Sequence, residues 1–378
     1  MLHLSNIIII YLQILAMSDV KSIQIYREQL GLSQAELGDR IDVTRQTIAA
    51  WEKEEREPSV AQLMRIAKAL NIGVDLLINE SDNKFFLEDS GLLFRADKPS
   101  ALTPHLRAVL SQKASNYGFI EQLVKEIPTL PEMRPIKDYD PDFVEEVARE
   151  IRDWLGIGET SPLKDVFAML ESKGLKVILH PLPIEISGFS AYSEESGATI
   201  FVNSTHCPER KFFTSLHELA HLIFHRQEYR IARKKAKGTD PRESAANHFA
   251  GAVSLPAEVL KRELGAYRDR WIPEPLLGDI KKRYAVSMRT VLYRAAQTGL
   301  ISKKQQGQQI GTLNKNYGKE FEPVSLPEPE HLNRLERLVY LALVKEEITT
   351  SRAAEILGKP LVDVRNNLTK WLLEDRED

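Results

Sequence analysis

From residue 19 to about residue 77, apolar positions recur at helical spacing in short bursts separated by polar turns. Ser33 and Glu36 make a capping-box arrangement, with Leu37 and Ile41 as the apolar positions that follow. Asp42-Val43 reads as a short turn, Thr44 caps the segment TRQTIAAWEKE, and Pro58-Ser59 opens a helix through Leu70. Short helices joined by so tight a turn outline a helix-turn-helix. Further along, SALTPHLRAVLSQKASNYGFIEQLVKEI has helical spacing and LPEMRPIKDYDP reads as a Pro-rich connector. FVEEVAREIRDWLGI puts Val144, Val147, Ile151 and Leu155 on one face of an amphipathic helix. PLKDVFAMLESKGLKVILHPL then reads as a helix, a stop at Gly174 and a strand. GFSAYSEESGATIFVN reads as two short strands around a Glu-Ser-Gly turn.

These patterns predict a mainly α, multi-domain chain. An all-α helix-turn-helix domain at residues 18–80 is followed by a helical connector at 81–141. An α+β domain with a small sheet spans 142–270, and LLGDIKKRYAVSMRTVLYRAAQTGLI makes a second helix-turn-helix-like unit within 271–304. That unit reads DNA, recognises a substrate or packs on its neighbour. Residues 305–330, punctuated by Gln, Gly and Pro, are expected to be a linker. Residues 331–378 are expected to form a helical dimerisation or regulatory segment. The apolar run at 1–17 is too short to span a bilayer and has no basic start, so it reads as an extension rather than a signal, and no membrane partner is expected.

The chemistry sits in KFFTSLHELAHLIFH, residues 211–225. On a helix His217 and His221 lie one turn apart and about 40° around the axis, so both imidazoles reach one ion. Glu218 lies beside them, where it takes a proton from water without being a ligand. Phe212, Leu216, Leu219, Leu222 and Ile223 make the opposite side apolar. A third ligand is needed, and Glu243 opens a second helix on which Ala246, Asn247 and Ala250 share its face. Small neighbours let two helices approach closely enough for Glu243 to complete a His₂Glu site, with Asn247 hydrogen-bonding a ligand. His225, about 80° from His217, either shifts inward as a ligand or packs behind the site, and the second is favoured. His248 falls off the Glu243 face, and His206 with Cys207 lacks partners. Tyr192 or a histidine near the cleft is a candidate for oxyanion stabilisation. The basic stretch RQEYRIARKKAK reads as a solvated loop.

Composition narrows the picture. The chain has 378 residues, enough for two or three domains, and a formal net charge of −3 that does not favour a globally basic nucleic-acid binder. One cysteine, Cys207, excludes a disulfide framework or a cysteine-rich metal cage and suits a reducing cytoplasm. No phosphate-binding Gly-rich loop competes with the histidine site.

The segment from IYREQLGLSQAELGDR through TRQTIAAWEKE to MRIAKALNI resembles the Xre/Cro-like helix-turn-helix family. That resemblance implies binding to double-stranded operator DNA as a homodimer. Gln34, Arg45, Gln46 and Thr47 match groove-facing positions beside the capping Thr44, and Lys53 and Arg56 match phosphate contacts. Between Ser18 and Glu80 eight Lys/Arg face eleven Asp/Glu, so phosphate attraction is weak and binding leans on dimerisation and specific contacts.

Residues 143–256 are similar to the ImmA/IrrE metallopeptidase family. The resemblance rests on Gly188-Phe189-Ser190, IFVN with Asn203, HELAHLIFH, and the segment from Glu243 to Leu255-Pro256. Ala245 stands where the family frequently has an acidic residue. The resemblance implies a cytoplasmic, gluzincin-like peptidase whose substrates are partner repressors or antitoxins, in prophage, toxin–antitoxin or stress-response control. It implies zinc, with manganese as the alternative, and the third-ligand role for Glu243 that spacing alone permits. The rival readings are a regulator whose peptidase-like domain is a non-cleaving sensor, and an antitoxin or immunity component acting by protein contacts.

Overall fold

A computed structural model describes residues 21–29, 32–53, 55–70, 104–126, 130–163, 165–193, 197–227, 240–328 and 334–374, with isolated positions at Leu77 and Leu102. The apolar run at 1–17, most of the basic stretch after Arg226, and residues 81–101 lie outside them.

Among the described residues, the first unit has the helices α1 (Lys21–Gln29), α2 (Gln34–Arg40), α3 (Arg45–Glu52) and α4 (Val60–Leu70). The Ser33 capping box starts α2, and the Thr44 hydroxyl accepts from Thr47 N–H at the start of α3. Between them Asp42 takes a left-handed conformation (φ 57°), which turns the chain sharply. Leu37, Ile48, Trp51, Ile66 and Leu70 bury the apolar faces, and the Arg27–Glu52 ion pair is buried beside them. Helix α5 (Pro104–Val124) follows and lies against α1.

The central unit begins with α6 (Pro141–Trp154) and α7 (Val166–Ser172), which ends at Gly174 with φ 84°. Strands β1 (Lys176–His180), β2 (Gly188–Ser193) and β3 (Gly197–Asn203) form a sheet in the order β1-β3-β2. β1 runs parallel to β3, and β2 runs antiparallel to it with Ser190 opposite Ile200. Because strand side chains alternate, the sheet has two apolar faces. Val177, Ala198, Ile200 and Val202 meet α8 (Pro208–Phe224) and α9 (Pro241–Ser254), while Ile178, Phe189, Ala191 and Phe201 turn to α5.

Helices α10 (Ala257–Leu264), α11 (Glu274–Tyr284) and α12 (Met288–Gln297) come next. Ala285 (φ 54°) and the capping Ser287 make the turn between α11 and α12. This pair packs: Leu277, Ile280, Val291, Leu292 and Ala295 share a core with α10.

The segment expected to be a linker, residues 305–330, is instead helical over its first half, in α13 (Lys303–Tyr317). Ser302 and Gln305 build a capping box, Leu313 is buried and Ile310 and Tyr317 pack against the same core. Its glutamines are good helix formers, and Gly307 and Gly311 face open space, so neither interrupts the helix. The chain then returns as a strap. The Glu322 carboxylate accepts from the backbone N–H groups of Met288 and Arg289 at 2.9 and 3.2 Å, capping α12. Lys281, fully buried, bridges Glu322 to Glu209 in the first turn of α8.

Helices α14 (Arg334–Val344), α15 (Thr350–Leu357) and α16 (Leu361–Glu374) close the second face of the sheet together with α5. A buried polar cluster pins them. Lys176 Nζ donates to Glu121 at 2.9 Å, and the Arg334 guanidinium pairs with the same carboxylate. Arg334 N–H and the Tyr117 hydroxyl donate to Glu171 at 2.9 and 3.3 Å.

Burial pushes the Glu171 carboxyl up to about 7, against the hydrogen bonds from Arg334 and Tyr117. The folded chain therefore holds this proton more tightly than the unfolded chain does. Its contribution to stability is full below the unfolded pKa near 4.5 and is lost as pH rises through about 7. Stability should fall by on the order of 2 kcal/mol between pH 5 and pH 8 from this group, and Glu171→Gln should flatten that slope in urea unfolding. A second expectation concerns Gly188, where an added Cβ would stand 2.5 Å from both Phe201 O and Thr214 Cγ2. Gly188→Ala should therefore cost about 2 kcal/mol by overpacking the contact of β2 with β3 and α8, read as a lower urea midpoint.

Candidate metal centre

Helix α8 begins at Cys207-Pro208, with proline at the first helical position where its missing N–H costs nothing. Its apolar side, Phe212, Leu216, Leu219, Leu222 and Ile223, is buried against the sheet and α7. The polar side is also covered: His221 and Glu218 are 2% and 5% exposed. α9 crosses this side with Ala246 and Ala250, both fully buried, at the contact.

The crossing brings Glu243 onto the two histidines. Glu243 Oε2 lies 3.2 Å from His217 Nε2, and Oε1 lies 3.4 Å from His221 Nε2. The two Nε2 atoms are 3.1 Å apart. Four donors placed about 2.1 Å from a tetrahedral ion are separated by roughly 3.4 Å, and each of these three contacts is near that spacing, the two from Glu243 being made by different oxygens of its carboxylate. Two imidazoles and one carboxylate are the donor set of a catalytic rather than a closed structural zinc site. Among the described residues, these three form the single group of His, Cys, Asp or Glu side chains found close enough to hold a metal ion. Burial pushes the Glu243 carboxyl up, but the hydrogen bonds and charge of His217 and His221 hold it well below the usual carboxylate range.

Neighbouring side chains fix the set. His217 Nδ1 lies 3.0 Å from Asn247 Oδ1, so the ring carries its proton there and turns the Nε2 lone pair to the cluster. Ser190, on the buried face of β2, donates its hydroxyl to Glu218 Oε2 at 2.6 Å. Nothing in the spacing of the sequence assigns Ser190 a role. Its signal was slight: a small polar residue alternating with Phe189 and Ala191 on a strand, two positions after Gly188. Asn203 shapes the loop between β1 and β2, accepting from Leu182 N–H and donating to the carbonyls of Leu182 and Ile186.

α9 is held from behind. His248 Nε2 donates to Glu145 of α6 at 2.7 Å, and its Nδ1 meets the Tyr139 hydroxyl at 2.9 Å. Arg294 of α12 pairs with the same carboxylate at 2.7 Å. Burial pushes Glu145 up, but His248 and Arg294 bring it down to about 2. Gly251 leaves the space for Arg294, since an added Cβ would stand 2.8 Å from its Cδ. At the far end Arg152 donates to Val253 O, the last turn of α9, and to Gly158 O.

The other sequence candidates fall outside the triangle. His225 contacts His221 Nδ1 at 3.2 Å, on the ring edge away from Glu243. Tyr192 is half-buried with the Arg226 guanidinium 5.2 Å above its ring. His206 is buried and Cys207 is exposed, with no third partner among the described residues. In the first unit, Thr44, Arg45 and Gln46 are exposed at the start of α3, as are Lys53 and Arg56 beyond its end. Gln34 donates its amide to Glu52 at 2.8 Å, and the Thr47 hydroxyl is 2.9 Å from that of Thr44. Both side chains are thus engaged inside the module.

Among the described residues, no helix is long and apolar enough to cross a membrane. Comparison with known proteins gives two family matches. Residues 170–296 match the IrrE N-terminal-like domain of the M78 peptidases, and residues 23–77 match a helix-turn-helix family. The first match includes α11 and α12 as well as the metal cluster. An uncharacterized HTH-type transcriptional regulator of Methanothermobacter thermautotrophicus is 53% identical over 45 residues, which are 12% of this chain and 65% of that protein. The chain thus joins a helix-turn-helix segment to a segment similar to the IrrE-like domain of the M78 peptidases.

Proposed function

We propose that the protein is a DNA-binding regulatory zinc metallopeptidase that cleaves a partner transcriptional repressor or antitoxin in the cytoplasm. The observation that carries this reading is a buried Glu218, held by Ser190, directly beside the triangle of His217, His221 and Glu243. The peptidase-family match over residues 170–296 supports it.

Zinc, or manganese in its place, supplies a Lewis acid that polarises a peptide carbonyl and makes water a stronger acid. His217, His221 and Glu243 would hold the ion, and Asn247 keeps the His217 ring aimed. Glu218 accepts the proton of the attacking water and delivers it to the leaving amine. The Ser190 hydroxyl fixes which oxygen of Glu218 faces the cleft, because Oε2 is engaged. A domain that merely senses a metal needs neither a carboxylate at position 218 nor a strand hydroxyl to aim it, which favours catalysis over a non-cleaving sensor. The helix-turn-helix module brings the peptidase to operator DNA, where a repressor would be found. Exposed Arg45 and Gln46 read base edges, and Lys53 and Arg56 meet phosphates. The single cysteine supports a reducing compartment.

Glu218→Gln should keep stoichiometric zinc by elemental analysis while slowing cleavage of the cognate repressor by about 10²–10⁴-fold. Intact repressor after incubation with zinc-loaded wild-type protein would favour the sensor reading. Arg45→Ala should weaken binding to a duplex selected by the intact protein by about 1–3 kcal/mol in fluorescence anisotropy, with zinc content unchanged. Equal affinity of the variant would remove Arg45 from the interface.

A further inference from the structure

Three histidines stand on successive turns of α8: His217, His221 and His225. Each step of four residues advances about 40° around the helix, so the third has rotated out of the triangle that the first two make with Glu243. His225 also terminates the helix, with φ −131° and its backbone N–H still bonded to His221 O at 2.9 Å. Its ring is 1% exposed and packs edge-on against Phe224, with centroids 5.9 Å apart.

The His221 ring is addressed from both edges. Nε2 faces the cluster, 3.1 Å from His217 Nε2 and 3.4 Å from Glu243. Nδ1 faces His225 Nδ1 at 3.2 Å. A neutral imidazole has one proton for two nitrogens, and the nitrogen without it is the one with a lone pair to give. A lone pair at His221 Nε2 puts the proton on Nδ1. His225 Nδ1 then receives that proton's hydrogen bond, which leaves the proton of His225 on its own Nε2.

We propose that His225 is a positioning residue that accepts the His221 Nδ1–H, fixing the tautomer and ring angle with which His221 meets a metal ion. It does for His221 what Asn247 does for His217, and both acceptors are uncharged, so the cluster keeps the single negative charge of Glu243. The inference rests on the proposed metal-binding role of His217, His221 and Glu243.

The test titrates Zn²⁺ against a chromogenic chelator in the full-length protein. His225→Leu should lose about 10–100-fold in zinc affinity, because the ring of His221 loses its acceptor. His225→Asn should recover most of that loss, since its Oδ1 stands close to where Nδ1 stood. Thermal unfolding of the metal-free variants shows whether each is folded. Nitrogen–proton correlation spectra of zinc-loaded wild type should place the His225 proton on Nε2, a result that stands even if a variant does not fold. The proposal is overturned by unchanged affinity in His225→Leu, by an Asn variant as weak as the Leu variant, or by a proton on His225 Nδ1. Wild-type protein that takes up no zinc would remove the metal reading itself. Wild type that binds zinc no more tightly than His225→Leu removes this inference alone.

Discussion

The close crossing of two helices is the constraint on which the rest of this structure depends. Glu243 reaches two imidazoles of α8 because α9 offers alanine at positions 246 and 250 where the helices touch. A longer side chain there would hold the carboxylate away from both rings. The surrounding architecture sets this approach from every side. The Glu145 carboxylate gathers His248 of α9 and Arg294 of α12 into one partly buried network, and Arg152 holds the far end of α9. The carboxylate is partly exposed, whereas His248 and Arg294 are buried, so losing it would leave both of them without their ion-pair partner. The helices after the histidine motif therefore serve the site as supports.

The sheet has a similar double duty. One face packs α8 and supplies Ser190 to Glu218, and the other packs α5 and the C-terminal helices. Helix α1 of the helix-turn-helix module also rests on α5. A continuous packed path thus runs from the helix-turn-helix module through α5 to the back of the sheet that carries Ser190. Glu121, Lys176, Glu171 and Arg334 meet on that path, and their mutual pairing ties three sequence-distant segments together.

Local features were legible in the sequence, and long-range ones were not. The Ser33 and Thr44 caps and the turn at Asp42 define the first module because each acts within a few residues of itself. The pairing of His217 with His221 follows from helical spacing alone, and small neighbours marked the face on which Glu243 lies. Ser190 was missed because its partner is 28 positions away and a serine in a strand carries no spacing signal. The glutamines and glycines of residues 305–330 have loop composition, yet the cap formed by Ser302 and Gln305 starts a helix that runs through the first half of that segment. The docking of the C-terminal helices onto the sheet depends on pairs such as Glu121 with Arg334, 213 positions apart, which no local pattern announces.

The central claim is that one metal ion is gripped by two turns of α8 and the first turn of α9. A crystal structure of the zinc-loaded protein, with the metal located by anomalous scattering at the zinc edge, tests it most directly. The account expects the ion bound to Nε2 of His217, Nε2 of His221 and a carboxylate oxygen of Glu243, with Glu218 near but not bound. Zinc found elsewhere, or bound to the histidines with Glu243 turned away, would contradict it.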